Sequence, residues 1–487
     1  MHISDFRKFL RCPKMYQLSL KDNKRGFPFL NIDIDIDESI KNKFKIDNCY
    51  TGIANEDNED SFKAMEQYQW LLKPRFSYRY LRVRVPLMHK NEDKWDLYFT
   101  TLSTCPQEDE AMNIRWTVDV LNKAKISIGR IYLVYLNKNY VREGELDDDQ
   151  LWLVTDCFLN GNGHPSKDII KYISNINIDI DITIDNMLHF DGDYYDITRS
   201  NRCTGRKKCQ YYDLCFPDEK LMEDNSILHL TNSQYKYTMY QEGVKYLSQV
   251  DLEKLEGTAQ QYAQVMADRQ GGLFIDKLAL KNWMNNNIHY PLSYIDFEWD
   301  LHAIPPYEKM SPMQVLCFEY SLDVVTQDGR ITHHQYIGEG DCRKEFIEHM
   351  LRELPKEGTI LAYNAKGAEV LRVRELMKAF PEYTEELEDV CRRFVDLSVP
   401  FLSGMVYDTR MRGLYSLKII KGVINDKVSY HDLDVENGLD AVSVYRKLLK
   451  EKNLETKKQY YEDLYKYCGM DSYTMIEVIS WLRSLIT

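Results

Sequence analysis

Two carboxylates two residues apart interrupt an apolar run, Tyr294-Ile295-Asp296-Phe297-Glu298-Trp299-Asp300. In a β-strand, side chains i and i+2 leave the same face, so Asp296 and Glu298 point together while Ile295 and Phe297 point the other way. Adjacent carboxylates repel unless a cation lies between them, and hard oxygen ligands suit Mg2+ and Mn2+. An ordinary strand with an acidic outer face fits the same pattern. Near the C-terminus, Tyr467 and Asp471 stand four apart in a helical pattern and share one helix face. Glu369 opens a helix shortly after a strand ending at Asn364, a place where α/β sheets carry functional side chains. The helix dipole favours an acid there in any case. Cysteine offers a second chemistry: Cys12 stands near the start, and Cys203, Cys209 and Cys215 form a C-x5-C-x5-C array. Four thiolates suit a [4Fe–4S] cluster or a tetrahedral Zn2+.

The elements that must position these groups come from a chain of 487 residues, 44% hydrophobic and 29% charged, with 14 prolines. That length predicts two or three domains, and that balance argues against disorder. No apolar run approaches the ~20 residues that span a bilayer, and Met1-His2-Ile3-Ser4-Asp5 lacks the features of a signal peptide, so a cytoplasmic protein is expected. A net charge of −13 argues against unspecific wrapping of nucleic acid but leaves room for a local basic groove.

An α/β protein of three regions is predicted. Residues 1–222 open with a helix presenting Phe6, Phe9 and Leu10, capped by Ser4 or Asp5 and ended by Cys12-Pro13. Strands are expected at 80–87, 95–102 and 130–136, and the alternating segments 31–37 and 177–183 read as half-buried strands. Asp96 reads as a lone surface acid, and Asp147-Asp148-Asp149 as a solvated loop. Residues 223–289 read as a helical connector, broken at Gly271-Gly272 before a last helix from Ile275 to Trp283. Residues 290–487 give strands at 294–300, 314–322 and 331–337, a hairpin at Asp328-Gly329, a helix over 343–354, a strand over 358–364 and then a helix. The order β-β-β-α-β-α is that of an RNase H-like domain.

The opening S-x-F-x-x-F-x-x-C-P-x-x-Y and the closing C-x-x-x-x-x-C-x-Y-x-x-x-C resemble the iron–sulfur-clasped PD-(D/E)xK nucleases. The resemblance implies a restriction-endonuclease-like domain in which Cys12, Cys203, Cys209 and Cys215 bind the cluster, with Zn2+ as the alternative occupant. Such nucleases need an Asp ending one strand and an E-x-K on the next. Here Pro86 and Phe99-Thr100-Thr101 stand in those places, so this domain is expected to keep the scaffold without its metal site.

The ordered set D-x-E, an acid after a strand-end Asn, and Y-x-x-x-D resembles the tyrosine subclass of the DEDD 3′–5′ exonucleases. Together with Y-I-D-F-E, A-I-P, L-Y-S-L-K and Y-C-G-M-D, it is similar to a bacterial family fusing the cysteine-clasped module to such an exonuclease domain. By that resemblance Asp296, Glu298, Glu369 and Asp471 hold two Mg2+ or Mn2+ ions, Tyr467 orients the attacking water, and Asn364 and Lys418 position the scissile phosphate. Two features depart from the family: the second-motif acid is Glu369 after Ala368, with a longer spacer, and Asp396 is an alternative ligand. Lys466 disfavours the histidine subclass. The implied activity is release of 5′-mononucleotides from a single-stranded end, with the N-terminal domain guiding the strand and DNA and RNA both open. The alternative is a non-catalytic nucleic-acid-binding protein or an interaction scaffold in a defence or repair complex.

Overall fold

The computed structural model describes residues 1–22, 29–56, 58–191, 197, 199, 201–204, 208–217, 222–425, 435 and 437–487. By its contacts the chain divides into one unit of residues 1–198 and 301–314 and a second of residues 199–300 and 315–487. Both are mixed α/β. No helix of the described residues is long and apolar enough to cross a membrane.

In the first unit, six strands form a sheet in the order Tyr50–Thr51, Trp70–Leu72, Leu87–Asn91, Lys94–Thr100, Ile128–Leu136 and Trp152–Thr155. Lys94–Thr100 and Ile128–Leu136 pair in parallel, which requires a crossover. The helix Ala111–Lys123 makes it, burying Ile114, Trp116, Val120 and Leu121. The opening helix Ile3–Arg11 buries Phe6 and Phe9, with the Phe6 ring edge-on to Trp116 at 5.5 Å. Its N-cap is His2, and Asp5 accepts from the His2 N–H at 2.8 Å. Pro13 then starts a second helix, Pro13–Lys21, at the position where a missing N–H costs nothing.

Local capping overrode sequence alternation at several acids. The segment 31–37, expected as a strand, leads instead into the helix Ile36–Phe44, because the Asp35 carboxylate accepts the Asp37 and Glu38 N–H groups. Residues 177–183 behave alike: Asp179 caps Ile180–Leu188 through the Asp181 and Ile182 N–H groups. The run expected as a solvated loop is also ordered, with Asp147 capping Asp148–Leu151 and Asp148 accepting from Ser39 Oγ and from Asn42 Nδ2. Asp96 is only 4% exposed, not a surface residue, and accepts from the Arg130 N–H at 2.7 Å and Asn91 Nδ2 at 2.9 Å. The strand expected over 80–87 is split at Pro86, which cannot donate to a ladder: Leu81–Arg84 pairs with Arg75–Tyr78 in a separate hairpin, and Leu87–Asn91 pairs with Lys94–Thr100 in the large sheet.

In the second unit, residues 223–289 are less uniformly helical than their pattern predicts. Helix Lys236–Gln241 is followed by the 3-10 turns Leu247–Gln249 and Leu252–Lys254 before helix Ala259–Arg269, and a short strand precedes helix Lys277–Asn287. Leu273–Ile275 forms a strand antiparallel to Val406–Asp408, so Ile275 ends a strand rather than starting a helix.

The sheet that carries the acids has five strands: β1 (Leu292–His302), β2 (Gln314–Val325), β3 (Ile331–Ile337), β4 (Thr359–Ala362) and β5 (Phe394–Asp396). Their order is β3-β2-β1-β4-β5. β2 and β3 form the hairpin around Asp328-Gly329, while β4 runs parallel to both β1 and β5. The helices needed here are α1 (Arg343–Glu353), α2 (Glu369–Ala379), α3 (Leu417–Ile424) and α4 (Leu454–Ser484). Alternation sorts the two faces. Ile295, Phe297, Phe318, Tyr320 and Leu322 pack with Phe346, Ile347 and Met350 of α1. Tyr294 and Leu292 pack with Met475, Val478 and Ile479 of α4. The face covered by α4 is therefore the one that receives Asp296 and Glu298.

Candidate metal centre

Asp296, Glu298 and Asp471 each offer a carboxylate oxygen within 4.8 Å of the other two. The first two come from β1 at i and i+2. The third comes from α4, one turn after Tyr467 on the same helix face. Polar contacts hold α4 over this face: Ser472 Oγ donates to Asp323 of β2 at 2.6 Å, and the Cys468 thiol donates to Asp296 Oδ2 at 3.6 Å. Asp471 and Tyr467 are 7% and 4% exposed, whereas Asp296 and Glu298 keep partial access to solvent. The site is thus a buried floor with an open side.

Glu369 begins α2, after the left-handed Asn364 (φ 64°) turns the chain out of β4. Its carboxyl lies outside the closest trio but near enough to act on Asp296 and Glu298 electrostatically. Burial, then Asp471, Glu298 and Glu369, hold the Asp296 carboxyl well above the usual carboxylate range. Burial and Asp471 push Glu298 up to about 8 against the pull of Lys418. Burial and then Asp396 push Glu369 up to about 8. These directions all express one fact, that several carboxylates crowd a poorly hydrated space. The Tyr467 phenol is raised by burial and by Asp471, and so stays protonated at neutral pH.

Lys418, the second residue of α3, lies with its ammonium 4.8 Å from the Tyr467 ring centroid and lowers Glu298. Asn364 is tied into its own loop: its N–H donates to Asp396 Oδ1 at 3.0 Å, and its amide fills the space beside Gly367. Asp396 is engaged structurally, since the same oxygen also accepts from the Ser398 N–H at 2.9 Å and Ser398 Oγ at 2.6 Å. Of the cysteines, Cys12 belongs to the first unit and Cys203, Cys209 and Cys215 to the second. The Cys209 N–H donates to the Cys203 carbonyl at 2.7 Å. Residues 205–207, between those two cysteines, lie outside the described residues.

Sequence reading passed over Glu319. This residue of β2 is fully buried, neither carboxyl oxygen has a hydrogen-bond partner, and burial, Glu298 and Asp471 raise it well above its ordinary value. Its signal was legible in Phe318-Glu319-Tyr320-Ser321-Leu322-Asp323, where apolar and polar residues alternate and the polar face meets α4.

The donor set fits a hard divalent cation. Every group is a carboxylate oxygen, and buried Glu369 Oε2 and both Glu319 oxygens lack protein partners. Burying such groups is costly unless a cation or a proton compensates. Among the described residues this is where three or more potential ligands converge. Comparison with known proteins gives a partial match: no curated protein and no solved structure is similar to the chain. Residues 293–416, which carry Asp296, Glu298, Glu319 and Glu369 but stop before Lys418, Tyr467 and Asp471, match the model of a family described as a domain of unknown function (DUF2779).

Proposed function

We propose that the second unit is a divalent-metal-dependent 3′–5′ exonuclease acting on the end of a single-stranded nucleic acid, with the first unit guiding the strand. The observation that carries this reading is the convergence of Asp296, Glu298 and Asp471 oxygens within 4.8 Å, with Glu369 beside them. The strand order β3-β2-β1-β4-β5, with acids on the first strand, at a helix start after the fourth and on a late helix, supports an RNase H-like assignment.

Asp296, Glu298, Glu369 and Asp471 would hold the cations. Mg2+ or Mn2+ held there supplies Lewis-acid polarisation of a phosphodiester and water acidic enough to attack it at neutral pH. Tyr467 keeps its proton and so donates a hydrogen bond, orienting water or a phosphate oxygen without adding charge. Lys418 places a positive charge over the Tyr467 ring, where an incoming phosphate is attracted. Glu298 and Glu369 are largely protonated near pH 7 and would have to give up those protons to hold a cation.

The full chain, incubated with 3′- or 5′-labelled single-stranded DNA and RNA, is expected to release 5′-mononucleotides from the 3′ end with Mn2+ and not with EDTA. Asp296→Ala is expected to abolish this. Degradation that survives Asp296→Ala overturns the proposal, as does binding of the strands without hydrolysis. Cys203, Cys209 and Cys215 are proposed as iron–sulfur ligands, Zn2+ being the alternative. Iron, sulfide and zinc content after anaerobic purification distinguishes the two, and absence of all three refutes both.

A further inference from the structure

We infer that the first unit carries a separate phosphate-binding pocket built on the arginine face of a two-stranded hairpin. The hairpin pairs Arg75–Tyr78 with Leu81–Arg84, in the register Arg75↔Arg84, Phe76↔Val83 and Ser77↔Arg82. Phe76, Leu81 and Val83 are buried on one face. Arg75, Ser77, Arg82 and Arg84 therefore share the other. Two arginines directly opposite, with a third on the same face, form a like-charge arrangement that destabilises a strand pair unless an anion lies between them.

Two other arginines of this unit have carboxylate partners: Arg79, in the turn of this hairpin, pairs with Asp181 and Asp185, and Arg115 with Asp119. Arg75, Arg82 and Arg84 have no carboxylate partner among the described residues, and Arg75 Nε is buried without any hydrogen-bond acceptor. These three side chains, with His2, Asn58 and Ser77, line a cavity of about 290 Å3. Glu56 also borders it as a negative charge, with its oxygens turned to other donors: it accepts from Tyr50 Oη at 2.8 Å, the Ile53 N–H at 2.7 Å and Ser61 Oγ at 3.1 Å.

Asn58 fixes the hairpin edge through Ser77, accepting from its N–H at 2.6 Å and donating to its carbonyl at 3.0 Å. Ser61 Oγ accepts the Arg75 N–H at 2.9 Å. The backbone under the guanidinium groups is thus held before any ligand arrives. Guanidinium forks match the tetrahedral oxygens of phosphate, so the ligand class is a phosphate group. A free mononucleotide and the backbone of a strand both present one. In a chain of net charge −13, three arginines without a carboxylate partner among the described residues are a local exception that calls for a partner of opposite sign. The inference gives residues to the strand-guiding role but does not depend on the metal chemistry, and its test excludes metal.

In EDTA, so that no hydrolysis intervenes, the full chain is titrated with pyrophosphate, with a 5′-mononucleotide and with a single-stranded oligonucleotide. Saturable binding of at least one probe is expected. Arg82→Ala with Arg84→Ala should weaken it by at least about 30-fold and, for the oligonucleotide, reduce the steepness of its salt dependence by about 1.4 in the log–log slope. Binding of pyrophosphate or mononucleotide identifies a small-molecule site, and binding of the oligonucleotide alone identifies a strand site. Lys90→Ala with Lys94→Ala removes the same charge elsewhere in the unit and is expected to change affinity less than about threefold. Absence of binding by all three probes overturns the inference, as does indifference to the arginine substitutions or equal weakening by the lysine pair. Should the arginine pair fail to fold, Arg84→Gln alone, which keeps a long polar side chain, must still weaken binding.

Discussion

Glu298→Gln stabilises the metal-free protein and removes most of the stability that metal adds. In metal-free protein at pH 7, Glu298 stays mostly protonated because its carboxyl is pushed up to about 8 from an ordinary 4.5. Keeping that proton costs up to about 3 kcal/mol, at about 1.4 kcal/mol per pH unit. Sharing of protons among neighbouring acids reduces the relief to about 1–3 kcal/mol. Glutamine matches the protonated acid in shape and needs no proton, so in EDTA the variant unfolds at higher denaturant than the parent. With Mn2+ at about 100 times its dissociation constant the parent gains about 2.7 kcal/mol. The variant, lacking one of the three oxygens that converge within 4.8 Å, gains little. The assay is urea unfolding followed by intrinsic fluorescence, with and without Mn2+. A variant less stable than the parent in EDTA refutes the crowding argument, and equal stabilisation by Mn2+ refutes the ligand assignment.

Three more outcomes follow from the same geometry. Because folded Glu298 and Glu369 both titrate near 8 rather than 4.5, the metal-free folded state binds more protons than the unfolded state between those values. Their contribution is therefore full below about pH 4.5 and lost as pH rises through about 8. The stability of the parent minus that of Glu369→Gln, measured in EDTA, should fall across this window, and a rise refutes it. Tyr467→Phe is expected to lower kcat about 100-fold while Mn2+ affinity by calorimetry stays within about threefold, and an unchanged kcat removes the phenol from the chemistry. Arg446→Ala leaves Asp300, now bonded to it at 2.9 and 2.5 Å, buried without a cation. The expected loss is about 3–5 kcal/mol by urea unfolding, recovered in part by adding Asp300→Asn.

The parts of this fold that sequence made legible are those where a periodic pattern and a local signal agree. Asp296 and Glu298 alternate with Ile295 and Phe297 in a strand, and the hairpin at Asp328-Gly329 forms with a left-handed Gly329 (φ 84°). Where two signals compete, the nearer one won. At Asp35 and Asp179, alternation suggested strands, but a carboxylate satisfying two exposed helix N–H groups outweighs a pattern of three apolar residues. Asp96 and Glu319 were misjudged or missed for a different reason. An acid inside an apolar run carries no mark of its burial, which depends on strands and helices far away in sequence. The convergence of Asp471 with Asp296 depends on α4 crossing the sheet and was legible only as motif order.

Burial alone does not set the acids of the candidate centre apart from structural ones in this protein, but the identity of the partner does. Asp300 is fully buried two residues beyond Glu298, yet Arg446 grips both its oxygens. Asp323 gives one oxygen to Ser472 and the other to His333, Asp408 holds Arg410, and Asp96 accepts a backbone N–H and an amide. Each of these is a completed pair that needs nothing from outside. Glu319 and Glu369 are buried as deeply and keep oxygens that no protein donor reaches, and both act electrostatically on the open trio of Asp296, Glu298 and Asp471. A chain that satisfies its buried acids elsewhere has left unsatisfied those that face one point. A cation held at that point, as proposed, would compensate them all at once, and the relief of their repulsion should then be visible as metal-dependent stability.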